Sequence, residues 1–502
     1  MTDNTALPLP NRTSSFSSQT LTPAPGALTK SSGFLLNLVA LYLFLLESRV
    51  LDLSPIWWLH IPLALLILLC ILTVAKGNFR VTFGSKIAVA FTIFTGWVTL
   101  SVPFSKWRFA SIGPLESQIQ ALVIMIIIAQ IIRTPADYRR ITGTYAYAIL
   151  IASLLSFYLG RSVENGRLAL ANGTLADPNE FALALVVGLP FWWDKANAAQ
   201  GARKIYCLLC TVPILVAFGK TGSRSGLFTL AMLFFVTFLL ANPTRKVLIA
   251  GGCVFMVLAS TFFLPEYIRV RYQTIFTKGA EAQDLDKKAE SHLGSDIASS
   301  EERKALLIQS IHMTFEHPLF GVGPGVFSYA SWDERHAATG QGGWAQVTHN
   351  TYTQISSETG IPGFILFVLC MTMVLRSSYA AYRGLKDTDP IMAKTGSYLF
   401  CTLSAFSVGI FFLSVGYTHI ISVLFALTIG LSNIRHRTVQ GQTVPILALA
   451  KSTLGVSLSK WIKPNLPAPA TAKTAGPMAN SKALRNAGLS GKRTAATTPV
   501  QK

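Results

Sequence analysis

Long apolar runs separated by short polar breaks dominate the chain. They cover residues 34–53, 56–75, 86–103, 116–133, 142–160, 179–193, 205–219, 225–241, 246–264, 352–375, 395–415 and 417–434. Crossing a bilayer takes roughly 20 apolar residues per helix, so the pattern predicts an all-α polytopic membrane protein with about 12 transmembrane helices. Only a tight turn at Gly416 and Tyr417 divides the last two runs, yet together they are too long for one span.

Three polar stretches frame these runs. Residues 1–33 are rich in Ser, Thr and Pro and read as a disordered cytoplasmic tail. They hold no compact basic region or cleavage site, so no cleaved secretory signal is expected. Residues 34–264 carry helices one to nine. Residues 265–351 form one large loop between the ninth and tenth helices, too long to be a mere connector. Within it, Ser299 to about Phe315 places Leu306, Leu307, Ile308, Ile311, Met313 and Phe315 on a polar background, an amphipathic helix on the membrane surface or packed in the loop. Residues 352–434 carry helices ten to twelve, and 435–502 read as a basic, largely disordered cytoplasmic tail able to touch anionic lipid headgroups.

Charge fixes the orientation. The chain has 502 residues and a formal net charge of +20, yet only 13% of its residues are charged and 51% are hydrophobic. With both termini inside, 28 of the 43 lysines and arginines fall in cytoplasmic segments, and every short inside loop is basic. Eight of the other 15 belong to the one long loop, where the rule carries little weight. Basic residues spread in this way do not make the single patch that nucleic acid requires, so nucleic-acid binding is not expected. All six cysteines lie in apolar runs, and Cys207 and Cys210 have no second pair that would suggest a metal or redox site.

On the non-cytoplasmic side arginine should be scarce, so those present are candidates for chemistry. Arg161 and Arg167 precede the sixth helix, beside D-P-N-E at 177–180. Lys220, Ser223 and Arg224 belong to the short hairpin K-T-G-S-R-S-G, which holds Arg224 at the membrane boundary. A guanidinium there is costly unless it meets an anion, and its fork suits phosphate oxygens; snorkelling to lipid headgroups is the alternative. Arg303 starts the amphipathic helix of the long loop, where its adjacent glutamates also permit a simple solvated charge. His349 sits where the loop re-enters the tenth helix, suited to take a proton from a hydroxyl near neutral pH. Asn350 can orient it, bind sugar, or simply cap the helix. Glu358 lies two to three turns further on and needs a partner at that depth. His312, His317 and His336 have no zinc-type spacing, so neither a metal nor a cofactor is expected. The glycines of H-P-L-F-G-V-G-P-G-V-F at 317–327 read as a rigid turn and not as a dinucleotide fingerprint.

Four stretches together resemble the O-antigen ligase and polymerase superfamily of bacterial envelope glycosyltransferases: D-P-N-E-F-A at 177–182, T-G-S-R-S-G at 221–226, the turn at 317–327, and H-N-T-Y-x-Q-x-x-x-E-x-G-I-P-G at 349–363. The resemblance covers about residues 34–434. It implies inverting, metal-independent transfer of a glycan from a polyprenyl (undecaprenyl) diphosphate carrier to an acceptor hydroxyl. It also puts the long loop in the periplasm and the protein in the inner membrane. Carried over, Arg224 and Arg303 bind the diphosphate with Arg167 as a third, and His349 is the base. The implied acceptor is lipid A-core, as in ligases; polymerases joining repeat units and relatives that glycosylate protein share the motifs. A lipid-linked oligosaccharide transporter is the rival from another class, although its functional groups would gather nearer the midplane.

Overall fold

The computed structural model describes residues 33–76, 79–163, 166–273, 294–339 and 346–440. The expected disorder of residues 1–32 and 441–502 lies outside the described residues. The elements used below are α1 (Gly33–Ser48), α2 (Ile61–Lys76), α3 (Lys86–Ser101), α4 (Ile112–Ile131) and α5 (Pro135–Leu159), then the strands β1 (Gly160–Val163) and β2 (Arg167–Leu170). There follow α6 (Pro178–Ala198), α7 (Gly201–Thr221, interrupted at Cys210), α8 (Arg224–Leu240) and α9 (Pro243–Phe263). In the long loop lie α10 (Gly294–Glu316) and α11 (Phe327–Thr339), before α12 (Thr351–Gly384), α13 (Pro390–Gly409) and α14 (His419–Val439).

A helix therefore stands over each of the twelve apolar runs. Seven described helices are long and apolar enough to cross a membrane by length and composition, and Gly33–Ser48 and Arg224–Leu240 are apolar but shorter. The antiparallel β1–β2 hairpin, with Arg161 opposite Ala169 and Val163 opposite Arg167, is a departure from the all-α expectation. It ties off backbone hydrogen bonds that a loop at a membrane surface would otherwise leave exposed. At the other end of the chain, α14 carries Arg435 and Arg437 as helical residues and ends at Val439, five positions beyond the boundary at 434 that the hydropathy pattern suggested.

Burial sorts the helices. Every residue from Phe181 to Trp192 in α6, and from Ile420 to Leu431 in α14, is buried, so both are enclosed on all sides by other helices. α13 packs against α6, α8 and α12, while α14 packs on α4 and α1 on α5. The periphery is apolar and exposed: Ile67, Ile71 and Val74 in α2, and Val254, Phe255, Leu258 and Phe262 in α9, form the outward surface that lipid tails would cover.

Contacts gather alternate connections at opposite ends. At one end, Asn172 Nδ2 donates to the Asp52 carbonyl (3.3 Å), the Lys106 amide to the Val322 carbonyl (3.0 Å), and Thr348 Oγ1 shares a hydrogen bond with Ser414 Oγ (2.8 Å). At the other, Arg437 Nη1 donates to the Arg133 carbonyl (3.0 Å), Arg245 Nη2 to Asn197 Oδ1 (3.3 Å), and Thr395 Oγ1 to Asp194 Oδ1 (2.8 Å). The long loop belongs to the first end.

Candidate active site at the loop-bearing end

The hairpin delivers Arg167 into a buried position, 8% exposed. Its Nε donates to the Thr221 carbonyl (2.9 Å) and its Nη2 to Asn179 Oδ1 (2.8 Å). The same Asn179 oxygen accepts from Ser223 Oγ (2.8 Å), which in turn caps α8 by accepting from the Gly226 amide (3.1 Å). Asp177 caps α6, its Oδ1 accepting from the amides of Asn179 (2.6 Å) and Glu180 (3.1 Å). Three remote segments, β2, the start of α6 and the α7–α8 hairpin, are thus stitched together by one guanidinium and one amide. Arg224, half-buried, is the first residue of α8. A cation there opposes the helix dipole, whose positive end favours anions, so helix stability does not account for it. An anion at that point gains from the charge and from the dipole together.

His349 precedes α12 with φ 52°, a left-handed conformation that costs a non-glycine residue about 1–2 kcal/mol. Its neighbours hold it there. Thr348 Oγ1 donates to the Asn350 carbonyl (3.0 Å), and Asn350 Oδ1 caps α12 by accepting from the amides of Tyr352 (2.9 Å) and Thr353 (3.2 Å). Thr351 Oγ1 donates to the Leu413 carbonyl (2.6 Å), and Tyr352 OH to that of Ser407 (3.0 Å). The side chains around His349 are engaged in scaffolding, and the imidazole is displayed on a rigid corner. Burial pushes its pKa below the ordinary value, the Arg303 guanidinium pushes it further down, and Asp177 and Glu302 pull it up. α10, which carries Arg303, packs on α12, which His349 precedes.

Glu358 and Lys220 are engaged elsewhere at the same end. Glu358 Oε2 accepts from the Gly325 amide (2.8 Å), and its carbonyl from the Gly323 amide (3.0 Å). The Val322 amide donates to the Ser357 carbonyl (2.8 Å), and the Ile361 amide to that of Pro318 (2.8 Å). The glycine turn of the long loop is therefore laid directly on the backbone of α12, where the helix breaks at Gly360 (φ 72°). A Cβ at Gly360 would stand 2.3 Å from the Leu319 carbonyl oxygen, and one at Gly321 2.5 Å from that of Ser357. Phe320 stacks on Phe104, with ring centroids 4.1 Å apart, and on Trp97 at 5.2 Å. Lys220 is exposed, its ammonium 5.4 Å from the Phe157 ring. Among the described residues, no group of three or more His, Cys, Asp or Glu is placed to hold a metal ion.

Asn179, Asp177 and Glu302 were not among the candidates the sequence supplied. Asn179 and Asp177 were legible only as parts of the D-P-N-E motif, and Glu302 only as a neighbour of Arg303.

Fold and site define a helical membrane protein with a cationic, histidine-bearing corner at the end of the bundle that carries the long loop. Residues 209–368 match the family model described as O-Antigen ligase, which supports the resemblance to the O-antigen ligase and polymerase superfamily. The matched stretch runs from α7 into α12 and includes Arg224, Arg303, His349 and Glu358, whereas Arg167 and the D-P-N-E motif lie outside it. No curated protein matches the chain.

Proposed function

We propose that the protein is an O-antigen ligase-type glycosyltransferase spanning the inner membrane twelve times, with both termini cytoplasmic and its long loop in the periplasm. It moves a glycan from a polyprenyl diphosphate carrier to a hydroxyl of lipid A-core. The observation that carries this reading is the network in which Arg167, Asn179 and Ser223 hold the Arg224 hairpin, at the same end of the bundle as the strained His349 corner.

In this reading His349 takes the proton of the acceptor hydroxyl, and the freed oxygen attacks the anomeric carbon of the carrier-linked sugar. The bond to the diphosphate oxygen breaks with its electron pair, inverting the anomeric centre. Arg224 and Arg303 neutralise the departing diphosphate, a charge that grows in the transition state and is best met by preorganised donors. Arg167, bonded to Thr221 and Asn179, adds a fixed positive charge behind Ser223 and holds the Arg224 hairpin in place.

The test is transfer in reconstituted membranes supplied with polyprenyl diphosphate-linked glycan and lipid A-core, comparing wild type with His349→Ala and Arg224→Ala. Glycan on lipid A-core in wild type alone is the expected result. Longer glycan still on the carrier would identify a polymerase instead. Glycan that crosses the bilayer equally in all three proteins, with no transfer, would identify a transporter and overturn the site.

A further inference from the structure

The helix α10 has two apolar faces, and the bundle covers only one of them. On the covered face Leu306 and Met313 pack with Val322, Val326 and Phe327, and against Trp107 from the connection between α3 and α4. Thr314 Oγ1 shares a hydrogen bond with Ser356 Oγ of α12 (2.8 Å), which fixes this face against the start of that helix. Ile308, Ile311 and Phe315 follow one another at spacings of three and four, so they form a stripe on the far side of α10. They are 60%, 43% and 71% exposed, and the turn beyond the helix adds Leu319 at 54%. Polar groups border the stripe, where His312 Nδ1 lies 3.4 Å from Glu316 Oε1. An apolar row with a polar rim marks a surface that something apolar covers.

Where the stripe ends says what that is. Leu319 lies on α12 at the Gly360 break, since a Cβ there would meet the Leu319 carbonyl, and the next amide, of Ile361, donates to the Pro318 carbonyl (2.8 Å). Phe320 stacks on Phe104, the last residue of the apolar span Lys86–Phe104, with ring centroids 4.1 Å apart. The stripe thus runs onto two membrane spans. Their own outward surfaces are apolar and exposed, at Leu100 and Phe104 on one and at Ile365 and Leu369 on the other. Lipid tails cover such surfaces, and Leu319 and Phe315 continue them onto α10. At the opposite end of the stripe, one turn before Ile308, stands the exposed Lys304, a cation suited to lipid phosphates while its stem lies along apolar neighbours.

We infer that the outer stripe of α10 is seated in the adjoining leaflet of the bilayer, with phospholipid chains against Ile308, Ile311 and Phe315, and that it anchors the long loop to the membrane surface. A helix held in this way sinks its apolar face about 5–10 Å into the boundary between headgroups and acyl chains. The anchor does not depend on which reaction the His349 corner performs. It also ties Arg303, on the same helix, to the bilayer.

Two measurements on the full chain test it, in nanodiscs of phosphatidylethanolamine and phosphatidylglycerol. In the first, a photoreactive benzophenone side chain is placed in turn at Ile311, at Phe315 and at Glu301, which lies about 20 Å of helix before Phe315. Adducts formed on irradiation are read by mass spectrometry. Phospholipid adducts at Ile311 and Phe315 are expected to exceed those at Glu301 several-fold. Equal yields at all three positions, or no lipid adduct at any, overturn the anchor. Cross-links from Ile311 and Phe315 to a second copy of the chain overturn it as well and make the stripe a subunit interface. In the second measurement, Phe315→Asp changes an exposed side chain on which the packed face of α10 does not rely. It is expected to speed cleavage of the long loop by a soluble protease several-fold. Cleavage at the wild-type rate would show that lipid does not hold the stripe.

Discussion

The two ends of the bundle are both rich in arginine and lysine, but they use them differently. At the end opposite the long loop the cations settle on backbone carbonyls and aromatic rings. Arg437 bonds to the Arg133 carbonyl and Arg133 Nε to that of Gln130 (3.3 Å). The ammonium groups of Lys195, Lys246 and Lys386 lie 4.9, 5.2 and 4.6 Å from the rings of Tyr147, Phe238 and Tyr382. These are the contacts of side chains anchored at an interface, spread over many helices and each worth about 1 kcal/mol or less. At the loop-bearing end Arg167 is instead buried, bonded to Asn179 and the Thr221 carbonyl beside Ser223.

Substitutions can break this contrast, and the largest effect is expected at His349. His349→Ala should lower the transfer rate by about 10²–10⁴-fold, the usual contribution of a general base, with the melting temperature nearly unchanged. Activity within about tenfold of wild type would remove His349 from the chemistry. Next come the residues that build the corner. Gly360→Ala, which sets a Cβ against the Leu319 carbonyl at positive φ, should cost at least about 1–3 kcal/mol in stability and free the glycine turn to proteolysis. Arg167→Ala should cost about 1.5–3 kcal/mol by leaving Asn179 and the Thr221 carbonyl short of a charged donor. Thermal unfolding in detergent would measure both, and unchanged melting curves would deny these residues their structural role.

A subtler effect sharpens the electrostatic side. The His349 pKa is lowered, so the imidazole stays neutral at neutral pH, and transfer should fall only as pH drops below the ordinary value of 6.5. Removing the Arg303 charge takes away a repulsion, so Arg303→Ala should move that acid limb to higher pH. Asp177→Asn removes an attraction and should move it to lower pH. Limbs that shift together, or not at all, would show that these charges do not reach His349. The smallest effect belongs to the opposite end: Lys246→Gln should change stability by no more than about 0.5 kcal/mol and leave the transfer rate alone.

Much of the helical layout was legible in the hydropathy pattern, because lipid demands long apolar segments and basic loops keep to one side. The β1–β2 hairpin was not, since residues 160–170, between two apolar runs, carry no periodicity strong enough to announce it. The candidate arginines and His349 stood out individually for their cost at a membrane surface. Their relation did not, because Arg167 and Thr221 are 54 positions apart in sequence and nothing local records the bond between them.

Reading the chain alone is enough to locate the apolar helices, the segments that carry the positive charge, and the residue types able to handle a proton or a phosphate. Local composition and transfer free energy decide those matters residue by residue. It took the packed bundle to reveal that Asn179 joins Arg167 to Ser223, that Glu358 holds down the loop's glycine turn, and that α10 packs on α12. Those pairings depend on how helices pack across the whole bundle, and hydrogen bonds and charges act over a few ångströms of space whatever the distance along the chain.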